Sequence, residues 1–386
     1  MTTKQLIYKV ELLLILFITA CTRSASTQGI PGFPALVSPT ASQAVSPASA
    51  LQVPKSVLPT NTPIELSVPS TTETSQSQEI AVIHLPLDGP IADPLAEISG
   101  MAWYADDLLL LPQYPDRFGD DGNGYIFGLN KKDILSYIQG ATGNPLTPYL
   151  IPLITNNLEA MLNGFEGFEA IAIEGDQIYL TVETKPAGMM GYLVSGKISP
   201  DLSHIILDTS RLISITPQTE LTNYSDEALL VFGNRLFSIY EVNGAALNPT
   251  PLAHQFDFSL QVLDPLAFPN IEYRITDATS VNEFGRFWGI NYFFPGESAL
   301  KPDADPLERQ YGEGPSHSRF ETVERLVEFQ FSYTGIILSD TPPIQLELID
   351  DNHSRNWEAI ARLEGFGFLL STDKFPETIL GYIPYP

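Results

Sequence analysis

One short pattern returns along the chain and restricts the folds open to it: an acid, a small residue and an aliphatic, a turn, then a strand-like run that often ends on another carboxylate. It reads Gly167-Phe168-Glu169-Ala170-Ile171-Ala172-Ile173, a Gly175-Asp176 turn, and Ile178-Tyr179-Leu180-Thr181-Val182-Glu183. It returns as Asp226-Glu227-Ala228-Leu229-Leu230-Val231, Gly233-Asn234 and Leu236-Phe237-Ser238-Ile239-Tyr240-Glu241, and again as Trp357-Glu358-Ala359-Ile360-Ala361, Gly365 and Phe368-Leu369-Leu370-Ser371-Thr372-Asp373. Degenerate copies stand at Glu97-Ile98-Ser99-Gly100-Met101-Ala102 and Asp277-Ala278-Thr279-Ser280-Val281. Self-similarity at a roughly fixed period marks a repeat architecture, and a repeated hairpin with its acid in one place predicts a single all-β propeller.

The copies space out at 72, 58, 50 and 81 residues, counted between Glu97, Glu169, Glu227, Asp277 and Glu358. A four-stranded blade takes roughly 40 to 50 residues, so two intervals carry insertions. One is a Gly- and Asp-rich loop with a helical turn at residues 131–137; the other is the Pro- and Gly-rich stretch 295–319 inside the fourth blade. Alternation of apolar and polar residues through 327–333 reads as strand. Only 28 residues follow Glu358, enough for three strands. Residues 79–85 form a strand with no other obvious place, so they are expected to close the last blade and satisfy its open edge. The expectation is five four-stranded blades, with six as the alternative if the first interval hides another.

The ends bound location. Lys4 and Lys9 precede an apolar run at residues 12–20, far short of the roughly 20 residues that span a bilayer, so it reads as a signal peptide. The run ends in Ile18-Thr19-Ala20-Cys21, which resembles the lipobox of bacterial lipoproteins. Cys21 is the only cysteine, which leaves no disulfide framework and no thiolate zinc site. Residues 22–79 are rich in Ser, Thr, Pro, Ala and Gln and cannot form a core, so they read as a disordered stalk between the lipid on Cys21 and a folded domain at 80–386. The expected location is the cell membrane, lipid-anchored and facing outside the cytoplasm, with the chain a monomer. The net charge of −26 falls in the folded part, which excludes nucleic acid as a partner and suits a cation.

In a propeller the innermost strand of each blade lines a central channel. Glu97, Glu169, Glu227, Asp277 and Glu358 are therefore expected to crowd one axis, either tying neighbouring blades together through backbone N–H groups or holding a cation. Calcium takes six to eight oxygen ligands and suits such a ring, with Glu169, Glu227, Asp277 and Glu358 as ligands. A second acidic loop, Asp116, Asp120, Asp121 and Asn123, lacks EF-hand spacing and reads as a solvated turn. There is no Gly-x-Ser-x-Gly elbow, and the five histidines show no metal-ligand spacing. Arg117, Arg274 and Arg355, with His317 and His353, are the candidate contacts to a small anionic substrate.

Three segments carry a resemblance: Glu97-Ile98-Ser99-Gly100-Met101-Ala102, Gly164-Phe165-Glu166-Gly167-Phe168-Glu169-Ala170-Ile171-Ala172, and Asn356-Trp357-Glu358-Ala359-Ile360-Ala361 with Leu369-Leu370-Ser371-Thr372-Asp373-Lys374-Phe375. They resemble the bacterial phytase-like ("esterase-like activity of phytase") propellers over roughly residues 84–386. Ala170, Ala228 and Ala359 depart from that family's commoner Gly, and the fourth copy departs with Thr279-Ser280. The resemblance implies a secreted or membrane-attached protein and phosphoester or ester hydrolysis; it brings no catalytic residue set. The leading expectation is a metal-assisted hydrolase at the channel mouth. A noncatalytic module binding an envelope protein is the alternative, and a glycosidase stands behind both.

Overall fold

The computed structural model describes residues 77–119, 123–186, 188–350 and 353–385. Cys21, the expected signal segment and almost all of the expected stalk lie outside them. The described chain enters at β1 (Glu79–Ile80) and β2 (Ile83–Leu85). A first antiparallel set follows: β3 (Ile98–Tyr104), β4 (Asp107–Pro112), β5 (Gly124–Asn130) and β6 (Tyr149–Ile154), with α1 (Lys131–Ile138) before β6. After α2 (Leu158–Met161) come β7 (Phe165–Glu174), β8 (Gln177–Thr184), β9 (Met190–Ile198) and β10 (Ile205–Ile215), then β11 (Asp226–Phe232), β12 (Arg235–Tyr240), β13 (Leu252–Asp257) and β14 (Val262–Ala267). The fourth set is β15 (Arg274–Ala278), β16 (Arg286–Phe293), β17 (Val323–Ser332), β18 (Gly335–Leu338) and β19 (Ile344–Leu346), with α3 (Pro306–Tyr311) in the β16–β17 connection. The chain finishes in β20 (Trp357–Leu363), β21 (Gly367–Thr372) and β22 (Leu380–Pro384). The fold is nearly all β; neighbours within each set pair antiparallel, β18 and β19 both pair with β17, and β6 and β10 join the first two sets in parallel.

Local chemistry explains the hairpins. Gly175 (φ 57°) and Gly233 (φ 62°) sit in left-handed backbone at the β7–β8 and β11–β12 tips with nothing within 4 Å of an added Cβ, so the requirement there is conformational alone. In each first strand the register slips at the motif. Glu169, Glu227 and Glu358 are the extra residues of β-bulges in β7, β11 and β20, and Thr276 and Asp277 share the bulge in β15. The small residue after each bulge is buried against the neighbouring set: a Cβ on Gly100 would lie 2.9 Å from Ile171 Cγ2. That register corrects the sequence alignment of the first copy. Its bulge falls at Ser99, between Ile98 and Gly100, so Ser99 holds the motif place and Glu97 stands two residues earlier, in left-handed backbone at φ 41°.

The sets pack edgewise in a cycle: β3 against β7, β7 against β11, β11 against β15, β15 against β20, and β20 against β3. Between each neighbouring pair lies one apolar core. Phe168 and Leu180 meet Leu109 and Leu111 between the first two sets, and Phe287 and Phe329 meet Phe237 between the third and fourth. Trp357, fully buried with Trp288 and Phe368 between the fourth and fifth, donates its indole N–H to Glu324 Oε2 at 2.8 Å. Burying side chains of this size contributes about 1.5–3 kcal/mol each, which makes these seams the principal adhesive.

The strand expected at residues 79–85 is divided. β2 does pair antiparallel with β22, through Ile83 with Tyr382 and Leu85 with Leu380. Glu79 and Ile80 instead run parallel to β19 on the fourth set. Glu79 accounts for the break, because its Oε1 accepts from Ser316 N, His317 N and His317 Nδ1 of the long insertion.

Candidate functional site

Where the first strands converge, a cavity of about 750 Å³ opens, lined in part by the bulge residues and by residues at the ends of the second strands. Glu169, Glu227 and Glu358 come from bulges; Glu183, Asp373 and Gln113 come from the second position. Glu241 occupies the same second position behind the cavity wall and is fully buried. In the first, second and fifth hairpins the repeat thus delivers two inward polar groups, one from each strand.

Arg274 organises one side. Its guanidinium, buried like its neighbours, donates Nε to Glu241 Oε1 and Nη2 to Glu358 Oε1 at 2.9 Å. Nη1 reaches Glu297 Oε1 at 3.4 Å and Asn356 Oδ1 at 3.3 Å, and Glu227 Oε2 lies 3.6 Å from Nη2. Glu227, Glu241 and Glu358 thus meet around one guanidinium. One guanidinium cannot offset three carboxylates packed around it out of water, so burial and mutual repulsion favour acid protons in this cluster. Its titration follows. Burial, reinforced by Glu241 and Glu358, pushes Glu227 well above the usual carboxylate range. Burial pushes Glu241 up to about 8 and Glu358 up to about 7, in both cases against the pull of Arg274. Groups this close titrate as a unit.

On the other side, burial and the Glu183 charge raise Glu169 well above its ordinary value, and Gln113 Nε2 donates to Glu169 Oε1 at 3.1 Å. Burial raises Glu183 and Asp373 as well. Glu97 pairs with Arg117 at 2.7 Å and with Lys374 at 3.5 Å. The walls carry rings: Tyr114 and Tyr292 inside, Phe294 and Phe375 at the mouth.

The remaining expected residues fall elsewhere. Asp277 does not line the cavity; its Oδ2 accepts from Ile360 N of β20 at 2.8 Å, which ties the fourth set to the fifth. Arg355 is buried on Glu324, with Nε to Oε2 at 2.9 Å, and donates to Glu347 O. His317 is held by Glu79 at 2.8 Å, beside a smaller cavity of about 180 Å³, and exposed His353 pairs with Asp350 at 2.8 Å. Arg117 sits over the Tyr114 ring, engaged with Glu97. Of the four ligands expected for calcium, Glu227 and Glu358 face Arg274, Glu169 faces Gln113, and Asp277 faces Ile360. Among the described residues no group of three or more His, Cys, Asp or Glu is arranged to hold a metal ion. Asp120 and Asp121 lie outside the described residues, so the second acidic loop is not assembled here.

Sequence reasoning missed Gln113, Glu166, Glu297 and Asn356 as lining residues. It noted the terminal acids Glu183, Glu241 and Asp373 without giving them a role. Their shared place at the end of the hairpin's second strand was the available signal.

No protein-family model matches the chain, and no curated protein does. Solved structures similar to it include the soluble aldose sugar dehydrogenase of Escherichia coli, at 12% identity and a TM-score of 0.40, covering 79% of this chain and 100% of that one. A bifunctional GH43-CE protein of Bacteroides eggerthii is similar at 11% and 0.40, covering 78% of this chain and 34% of that one. A GH43 β-1,3-galactosidase is similar at 8% and 0.44, covering 79% and 60%. No role is carried from them to a residue of this chain. Among the described residues no helix is long and apolar enough to cross a membrane.

Proposed function

We propose that this chain is a five-bladed β-propeller, lipid-anchored outside the cytoplasm through Cys21, whose acid-lined cavity hydrolyses an ester or glycosidic bond by carboxyl acid–base chemistry. Five cores between cyclically packed sets, and the β2–β22 pairing, support the blade count and the closure. Loss of lipid labelling in Cys21→Ser is the expected result for the anchor; continued labelling overturns it.

The observation that carries the chemistry is the packing of Glu227, Glu241 and Glu358 around Arg274. Paired carboxyls of unequal acidity are the means by which a site keeps an acid and a base ready at one pH. Glu227, which burial raises well above the usual carboxylate range, protonates the leaving oxygen. Glu358, which ionises near pH 7, takes the proton of the attacking water. Arg274 fixes both carboxyls in place. Phosphoester hydrolysis, the other half of what the phytase-like resemblance implies, is less well served. The basic groups at the cavity, Arg274 and Lys374, are already engaged by carboxylates, as is Arg117 behind it, and the surrounding field repels an anion. Calcium at this spot would have to displace a guanidinium that already neutralises Glu227, Glu241 and Glu358.

The test is turnover of ester and glycoside panels by the parent and by Glu358→Gln, with and without a calcium chelator. The reading expects a rate that rises through about pH 7, falls again at higher pH as Glu227 ionises, and drops by about 10²-fold or more in Glu358→Gln, with no chelator effect. Undiminished turnover in Glu358→Gln, or calcium-dependent hydrolysis of phosphomonoesters, overturns it.

A further inference from the structure

We infer that the substrate of this cavity carries an organic cation, an ammonium or guanidinium group on a partly apolar body; this rests on the reading of the cavity as the working site. Charge is the first ground. Eight carboxyl groups line the cavity against two basic groups, both spent on the acids, and an entering cation draws those that burial holds protonated toward ionisation. The second ground is unmet bonding capacity. Glu227 is 7% exposed and lines the cavity, yet its Oε2 accepts from no N–H or O–H among the described residues, Arg274 Nη2 standing beyond hydrogen-bond reach at 3.6 Å. Glu297 Oε2, on the opposite flank of Arg274, is likewise without a donor. A ligand that brings N–H donors and positive charge meets both needs.

The third ground is the mouth. Phe294 and Phe375 line the cavity while 41% and 57% exposed, so apolar rings stand over an acidic floor. Aromatic faces attract organic cations and tolerate their methylene stems, whereas a bare metal ion gains nothing from them. Size agrees, because about 750 Å³ falls in the range of small-molecule sites and far exceeds one ion. A neutral sugar could use the rings but would leave the acids' charge unanswered. A free polyamine and a basic peptide side chain share the required chemistry, so the experiment must tell them apart.

The experiment is calorimetric titration of the full chain with spermidine, with a lysine-containing tripeptide, with a neutral trisaccharide and with calcium chloride, at low and high salt. One of the two organic cations is expected to bind, to weaken as salt rises, and to lose about fivefold or more in affinity with Phe375→Ala and again with Glu297→Gln. Tighter spermidine identifies a polyamine source, and tighter tripeptide a peptide one. Phe375 is at the rim, so Phe375→Ala should melt like the parent, and circular dichroism checks that both variants stay folded. Binding of the trisaccharide without either cation overturns the inference while the acid–base reading stands. Binding of calcium alone, unaffected by Phe375→Ala, overturns it too. Unchanged turnover in Glu358→Gln fails the underlying reading instead, so the two failures are distinguishable.

Discussion

Arg274 illustrates how one side chain can set the protonation of a whole site. It sits among four carboxyl groups, and the energetic question is which term wins. Desolvation dominates, since Glu241 and Glu358 remain raised to about 8 and about 7 in spite of the guanidinium. Removing the cation should be costly in a pH-dependent way. Arg274→Met is expected to lower unfolding free energy by about 3–5 kcal/mol at pH 8, where the carboxyls it leaves behind must ionise or bind protons against the solvent. The sign follows from linkage: acids whose folded pKa lies above the unfolded value stabilise below about pH 4.5, and that contribution declines as pH rises toward 8. Without Arg274 their pKa values rise further, so the deficit at pH 5 should be the smaller one. Urea unfolding of both proteins at the two pH values checks it; an equal deficit at both contradicts the assignment of protons to this cluster.

At the scale of the hairpin, the repeated acid serves two different ends from one bulge. In β7, β11 and β20 the bulge aims a carboxyl into the cavity, whereas in β15 it turns Asp277 onto the backbone N–H of Ile360. Burial keeps Asp277 protonated well above the normal range, so an amide of the same shape should serve nearly as well. Asp277→Asn is expected to stay within about 1 kcal/mol of the parent. Asp277→Ala, which strands a buried N–H, should cost about 1–3 kcal/mol by chemical denaturation. Equal losses in both would remove the blade-tying role. The hairpin itself was legible, because alternation, the Gly-Asp and Gly-Asn tips and the small residue after the acid are all local requirements. The bulge was not. It adds a residue on one strand without a sequence mark, and that is why Glu97 was aligned where Ser99 belongs. Residues 79–85 read as one strand because nothing in their pattern reveals that Glu79 is claimed by Ser316 and His317, more than 230 residues away.

At the scale of the molecule, the charge of −26 is organised as well as large. Acids repeat at fixed places in a cycle of strands, so the fold itself gathers them at one mouth. This convergence was legible from the repeat. The identity of the central cation was not, since Arg274 precedes its motif by three residues and only the ring geometry shows that it reaches carboxyls from β11, β20 and the residue after β12. The pairing of the arginines has the same origin: in a chain this acidic buried guanidinium groups find carboxylates, as Arg355 finds Glu324 and Arg325 finds Asp305. The central claim is that Glu227, Glu241 and Glu358 share protons around Arg274 at neutral pH. Its most direct measurement is a carbon-13 NMR titration of the full chain labelled at glutamate carboxyl carbons, with Glu227→Gln for assignment. The account predicts glutamate signals titrating near pH 7 and 8 in the parent, moved or lost in Glu227→Gln. Glutamates that all titrate below about pH 5.5, as ordinary carboxylates do, would contradict it.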